Sequence, residues 1–584
     1  MSAQSVQDRP RLEQVVEERR VPARRGLRIA PAQLVWLAVA LILVVLVILP
    51  IGAMVWRAVT DDAGNLTWDN FAEVLASSRL RQAVLNTILV ATATAVGSVL
   101  IATPLAFGVA RTNMRFKSLV RVSVIVSFIS PPFLIALSYI LIGGPNAGYV
   151  NVLLRAVFGL DQEFGPFNIY SLYGFVFLAL PGTVALVFLT LVPTFSSMDP
   201  ALEEASRVTG GTSAQTIWRI TLPMMRPAIL SGALLSFSVA LAMFGTPYIL
   251  GIDVLTTSIR QAILVNFDFA LAATLSVIIS LLSMAMLFCY RYTTRLTKRF
   301  ETIRGKGYRP TPIQMGFGRH VLSALGLTYV LLAALLPYVL LFIISFLKSP
   351  TRGLTADNLT LDNYRFVVAA PIVREGFANS LLLAGVTATV VAILAIATAY
   401  IVTKTRVPGR GLLDYIAIAP IGIAGTAFAI GMMVAYLFTP AKELRLYGTI
   451  WILLLAYAGR YITYGVRSVQ VSLVQVSGEL EEAARVSGAS QLRALASITV
   501  PLVRQGIAYA WILVFIQTFP ELSTSILLRA PGSEVAATAL LNLWDGPNGL
   551  PRASAVAILI FAAVMTLVAL AQRIGGRPIA SMDS

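Results

Sequence analysis

The chain has 584 residues, 57% of them hydrophobic and only 12% charged, with a formal net charge of +17. A soluble protein carries roughly 25% charged residues, so lipid is the expected solvent, and the basic residues fall in short blocks at the ends of apolar runs, as in cytoplasmic loops rather than on a nucleic-acid surface. One Cys (Cys289) and one His (His320) exclude an internal disulfide, a Cys/His zinc cluster and a persuasive Ser-His-Asp or Cys-His arrangement. Cys289 lies in an apolar run and is expected as a small core residue.

Residues 1–30 hold seven Arg and four acidic residues without an apolar core, which suits a cytosolic tail and not a cleavable signal peptide. A crossing needs roughly 20 mostly apolar residues. Twelve stretches qualify: 31–56, 84–110, 118–142, 171–195, 226–250 and 271–292, then 320–347, 378–403, 412–437, 447–470, 504–528 and 552–572. Pro131-Pro132, Pro181 and Pro420 fall inside spans, where neighbouring helices or water accommodate the break. Segment 291–319 carries eight Lys/Arg against one acidic residue, while the alternate loops 143–170 and 251–270 carry one Arg and two acidic residues each. This places both termini on the cytosolic side.

Between the fourth and fifth spans lies a polar knuckle: Glu204-Ala205-Ser206, then Gly210, then Ile220-Thr221-Leu222-Pro223. Asp199-Pro200 opens a short helix with acidic residues at its positive end. Gly210-Gly211 stops it. Thr212 or Ser213 caps a second short helix, which Pro223 is expected to end. The small residues leave room for close approach of a partner, and Glu204 offers it charge.

The second half repeats this plan. Glu482-Ala483-Ala484, Gly488 and Ile498-Thr499-Val500-Pro501 match the first knuckle without a gap at an offset of 278 residues, with Ser490 as the cap. Leu66-Thr67-Trp68-Asp69-Asn70 matches Leu359-Thr360-Leu361-Asp362-Asn363, and Asn86-Thr87-Ile88-Leu89 matches Asn379-Ser380-Leu381-Leu382, both at an offset of 293. Six spans per half keep the repeats in one orientation, related by an axis along the membrane normal. The expected organisation is a cytosolic tail (1–30), a first membrane repeat (31–294), a basic cytosolic linker (295–319), a second repeat (320–573) and a cytosolic tail (574–584).

The paired knuckles resemble the coupling loops of fused, two-repeat permeases of type I binding-protein-dependent ABC importers. The resemblance covers nearly everything after residue 30. It implies an all-α polytopic membrane protein with about 12 transmembrane helices in two tandem six-helix repeats of the MetI-like kind. It places the chain in the bacterial cytoplasmic (inner) membrane as a transport subunit, not an enzyme. Glu204, Ala205, Ser206, Gly210 and Pro223, with Glu482, Ala483, Ala484, Gly488 and Pro501, then become ATPase-coupling residues; Ser206 departs from the usual second Ala. The partners implied are two copies of an ABC ATPase subunit, a periplasmic or lipid-anchored substrate-binding protein and membrane lipid, with no nucleic acid. No Gly-x-x-x-x-Gly-Lys-Ser/Thr occurs, so ATP and Mg are expected on the partner ATPase and no cofactor on this chain. An ion-gradient secondary transporter also suits twelve spans but leaves the knuckles without a purpose.

A charge inside a span marks a functional site by default. Glu521, after Pro520 in the eleventh span, has Arg460 in the tenth as its candidate partner; either the pair fixes packing or it lines a route. Thr246 and Ser523 are further candidates for the translocation route. Phe244-Gly245-Thr246-Pro247, Glu521-Leu522-Ser523-Thr524-Ser525 and the segment from Gly144 to Ser171 are similar to the ferric-iron branch of these permeases. That branch is close to polyamine, thiamine and aminoethylphosphonate permeases. No residue set spells a metal site.

Overall fold

The computed structural model describes residues 31–146, 148–159, 165–199, 201–297, 312–405 and 407–575. The expected tail 1–30, residues 576–584 of the expected tail 574–584, Pro200 and linker residues 298–311 lie outside them, as do the side chains of Leu202 and Ser213. The described residues fold as helices. In the first half the main ones are α1 (Leu34–Ala58), α2 (Ser78–Arg111), α3 (Lys117–Ile129), α4 (Pro132–Gly143), α5 (Leu172–Ser197), α6 (Ala201–Val208), α7 (Ala214–Leu241) and α8 (Phe269–Thr293), with short helices such as Asp69–Ala76 and Leu255–Leu264 between them. The second half has α9 (Gly318–Ser345), α10 (Pro371–Lys404), α11 (Arg410–Gly422), α12 (Gly425–Phe438), α13 (Ile450–Val474), α14 (Glu479–Val486), α15 (Leu495–Leu502), α16 (Arg504–Thr518) and α17 (Gly549–Leu570), with short helices such as Asp362–Ala369 and Ala536–Trp544.

Eight of these are long and apolar enough to cross a membrane, and three bent pairs bring the number to 11. The helix α13, 25 residues long and carrying Arg460 and Arg467, is the counterpart of α5. Three expected spans are not straight. The third bends by 105° between α3 and α4, the ninth by 116° between α11 and α12, and the eleventh by 67° between α15 and α16. The first two breaks fall at Pro131-Pro132 and beside Gly422 and Gly425, where backbone donors are missing or a side chain is absent. The expected fifth span, 226–250, is shifted: α7 starts at Ala214 and ends at Leu241.

Pro50, Pro223 and Pro337 are absorbed without a sharp break, whereas Pro501 stands beside the 67° bend between α15 and α16. Wide helical turns at Val44–Ile48, Ile217–Thr221, Val330–Leu335 and Leu495–Thr499 each end two residues before a proline: Pro50, Pro223, Pro337 and Pro501. In each, an N–H reaches back five residues, as Leu222 does to Ile217, so the ladder steps past the missing donor. Pro223 therefore continues a helix instead of ending one. The carbonyls left over find other donors. Tyr139 donates to Leu332 O at 2.6 Å and Ser127 to Ala333 O at 3.2 Å.

The repeated strings have matching roles. Asn70 donates to the carbonyls of Ala58 and Thr60, and Asn363 to those of Ser345 and Leu347, tying the short helices Asp69–Ala76 and Asp362–Ala369 to the ends of α1 and α9. Asn86 reaches Asp253 O, and Asn379 reaches Gly532 O and Glu534 O. Thr87 and Ser380 accept from the N–H groups of Leu255 and Ala536.

The halves exchange their first helices. α1 packs on α12 of the second half, and α9 on α4 of the first. Glycine permits the first exchange: a Cβ at Gly431 would stand 2.6 Å from Pro50 O, and one at Gly459 2.4 Å from Leu46 O. Gly459→Ala is thus expected to destabilise the fold by about 1–3 kcal/mol, measured as a lower denaturation midpoint of the purified chain. An unchanged midpoint would contradict this packing. Cys289 departs from expectation: it is exposed on α8 beside Phe288, on the face turned away from the bundle.

Candidate functional site

The two knuckles form helix–turn–helix units of one design. Asp199 accepts from Ala201 N–H at 2.9 Å and opens α6. Gly210 and Gly488 end the two loop helices with φ of 83° and 91°, in the left-handed region where only glycine is unstrained. Thr212 and Gln215 exchange hydrogen bonds with each other's backbone and side chain, capping the start of the next helix; Ser490 accepts from Arg493 N–H in the second copy.

The candidate residues divide between the faces of these short helices. Glu204, Ala205, Glu482 and Ala483 are exposed, and Ser206 and Ala484 half-buried. Pro223 is half-buried and Pro501 exposed, both just past their wide turns. Ser206 shares a hydrogen bond with Thr216 at 2.8 Å, so the hydroxyl that replaces the usual Ala holds the two arms of the first unit together.

Each exposed face also carries a large apolar side chain that sequence reading missed. Val208 is 88% exposed and its counterpart Val486 90%, and Trp218, near the start of α7, is 73% exposed. Exposed apolar side chains next to small residues and a carboxylate make a surface suited to a protein partner.

The buried faces hold a second missed feature. Glu203, one residue before the motif, is 2% exposed and forms an ion pair with Arg111 at 2.6 Å, itself 2% exposed. Thr221 donates to the same carboxylate at 3.0 Å, and Arg111 also reaches Met198 O at 3.4 Å. The loop helix α6 is thereby tied to the end of α2 and to α7. In the second half, Glu481 accepts from Tyr400 of α10 at 3.0 Å and from Thr499. Lys404, at the position of Arg111, instead donates to Val476 O. The carboxylate and the threonine recur; among the described residues the cation on the carboxylate does not. The signal available in sequence was the spacing, with Glu203 to Thr221 equal to Glu481 to Thr499.

Within the bundle, Arg460 and Glu521 are paired. Glu521 is 5% exposed. Its oxygens also accept from Thr524 N–H at 3.0 and 3.1 Å, Ser525 N–H at 3.1 Å and the Ser525 hydroxyl at 2.8 Å. Arg460 donates further to Thr524 Oγ1 at 2.9 Å. Gly425 makes room for the pair: a Cβ there would lie 2.3 Å from Arg460 Nη1 and 2.8 Å from Ser523 Cβ. Arg460, Glu521 and Ser523 are therefore neighbours. Thr246 lies apart, in the corresponding break of the first half, buried at 1%. The two breaks meet where Gly245 abuts Leu522.

Residues 98–299 match the family model of binding-protein-dependent transport system inner membrane components. The chain is similar to a ferric transport system permease of Actinobacillus pleuropneumoniae, with 26% identity over 477 residues, 79% of this chain and 67% of that one. An Fe(3+)-transport system permease of Haemophilus influenzae is 23% identical over 486 residues, covering 83% of this chain and 87% of the relative. An ABC transporter permease protein of Streptomyces antibioticus is 30% identical over 218 residues, 37% of this chain and 92% of its own length.

Proposed function

The chain belongs to the family of ABC transporter permeases, and from that premise we propose that it imports ferric iron, with α6 and α14 docking on ATPase subunits. It is the membrane-spanning subunit of an importer. Two ATPase copies on the cytosolic side hold ATP and Mg, and a binding protein on the opposite side delivers the cargo. Both termini then lie in the cytosol, and the membrane is the bacterial inner membrane.

The observation that supports docking most strongly is the two-faced build of both loop helices. Each turns one glutamate inward, onto the helix bundle, and the next outward, beside alanine and an exposed valine. A push on the outer face is transmitted through the inner glutamate to α2 and α7, or to α10 and α15. Iron as cargo is supported by relatives whose names give ferric transport and which match most of the chain.

The test reconstitutes the chain in liposomes with its ATPase and binding protein and follows ATP-driven ferric iron uptake. Glu204→Ala with Glu482→Ala is expected to lower uptake about 30-fold or more, because truncating one member of a buried interfacial charge pair costs about 2 kcal/mol or more. Unchanged coupling in that double variant would refute the docking role. Uptake of a polyamine, thiamine or aminoethylphosphonate in place of iron would replace the cargo and leave the docking role standing.

A further inference from the structure

A groove of about 490 Å³ runs along the first half between α2, α7 and α8. Val96, Leu100, Ala233, Phe237 and Met286 line it, and Arg226 stands at one end. Thr92 also lines it, but its hydroxyl is spent on Ile88 O at 2.7 Å, so the walls are otherwise apolar. Leu100 and Leu230 are exposed on its rim, which opens it to the lipid side of the bundle.

The second half supplies an internal comparison. At the repeat offsets, Ala233 corresponds to Trp511, Val96 to Thr389, Phe237 to Phe515 and Arg226 to Arg504. There the indole fills the space. Trp511 donates to Thr389 Oγ1 at 3.0 Å and stacks on Phe515 with ring centroids 5.1 Å apart. The fold thus accepts a large apolar group at this place, and the first half leaves its counterpart open.

Length and charge identify the occupant. Arg226 and Phe237 are eleven residues apart, about 16 Å along a helix, or about half of a hydrocarbon core of about 30 Å. The groove therefore has the depth of one leaflet. Arg226 lies three residues beyond Pro223 and is the last charged residue of α7 before its uncharged run to Leu241, so we place it at the level of lipid headgroups. Among the described residues it has no hydrogen-bond or ion-pair partner.

We propose that this groove holds one acyl chain of an anionic phospholipid from the leaflet nearer α6 and α14, with the lipid phosphate on Arg226. Acyl chain and indole are then equivalent fillings of the same place in the two halves. A lone basic side chain at the headgroup level gives a preference for anionic over zwitterionic lipid of roughly fivefold.

The experiment places the full chain in nanodiscs of mixed phosphatidylglycerol and phosphatidylcholine and counts retained lipids by native mass spectrometry after release into detergent. The wild type is expected to keep one phosphatidylglycerol. Ala233→Trp with Val96→Thr, which copies the second half, is expected to lose it. Arg226→Gln is expected to keep a lipid but lose the roughly fivefold headgroup preference. Trp511→Ala with Thr389→Val opens the second groove and is expected to add one retained lipid. Retention by the filled variant, or no gain on opening the second groove, would overturn the proposal; unchanged preference in Arg226→Gln would remove the phosphate contact.

Discussion

Glu203→Ala is expected to destabilise the folded chain by about 3–5 kcal/mol, because it strands the Arg111 guanidinium in a buried position. Arg111 and Glu203 are each 2% exposed, so water cannot take the place of the lost carboxylate. The matched change in the second half, Glu481→Ala, is expected to cost only about 1–3 kcal/mol, since among the described residues it removes an acceptor of the Tyr400 and Thr499 hydroxyls and strands no cation. Denaturation of the purified single variants in detergent measures the difference. Equal losses would contradict the asymmetry of the two loops. Glu203→Leu with Arg111→Met removes both charges together and is expected to recover much of the stability. If the inner glutamates transmit force, that double variant still transports poorly, which separates transmission from folding.

Glu521→Ala is the second substitution with a large expected effect, again about 3–5 kcal/mol. It removes the counter-charge of Arg460 and leaves the Thr524 and Ser525 N–H groups without their acceptor at the break after α16. Glu521→Gln keeps the shape and can still accept from those N–H groups, so a smaller loss is expected. The comparison also decides between two roles. A carboxylate engaged by Arg460, two backbone N–H groups and a hydroxyl is occupied, which favours a part in holding the break over a part in binding cargo. Uptake should then follow stability across Glu521→Gln and Glu521→Ala. A Glu521→Gln variant of normal stability whose uptake had collapsed would return Glu521 to the cargo route.

Much of this architecture is legible in the chain itself. Hydropathy marks the helices, and the paired knuckles mark two helix–turn–helix units of one design. What pattern alone does not separate is two adjacent glutamates. Glu203 and Glu204 are the same residue type on a helix that turns about 100° per residue, so one faces in and the next out, and only the packing of α6 tells which. Prolines pose a similar limit. Pro50, Pro223 and Pro337 are taken up by wide turns within one helix, whereas Pro131-Pro132 coincides with a bend of 105° and Pro501, despite its wide turn, stands at a bend of 67°. The difference lies in what surrounds each freed carbonyl, such as Tyr139 beside Leu332, and that is a tertiary property. The Arg460–Glu521 pairing was open in sequence and needed the depth of Gly425 to be seen.

The crossed first helices have a consequence for synthesis. α12, the resting place of α1, emerges from the ribosome roughly 370 residues after α1 ends. At about 5–20 residues per second, α1 waits roughly 20–70 s in the bilayer with Gly431 and Gly459 not yet made. α9 waits for nothing, because α4 is already in place when it arrives. The first half is therefore exposed to proteases and wrong partners for most of translation, and slow codons upstream of Gly425 would lengthen that interval.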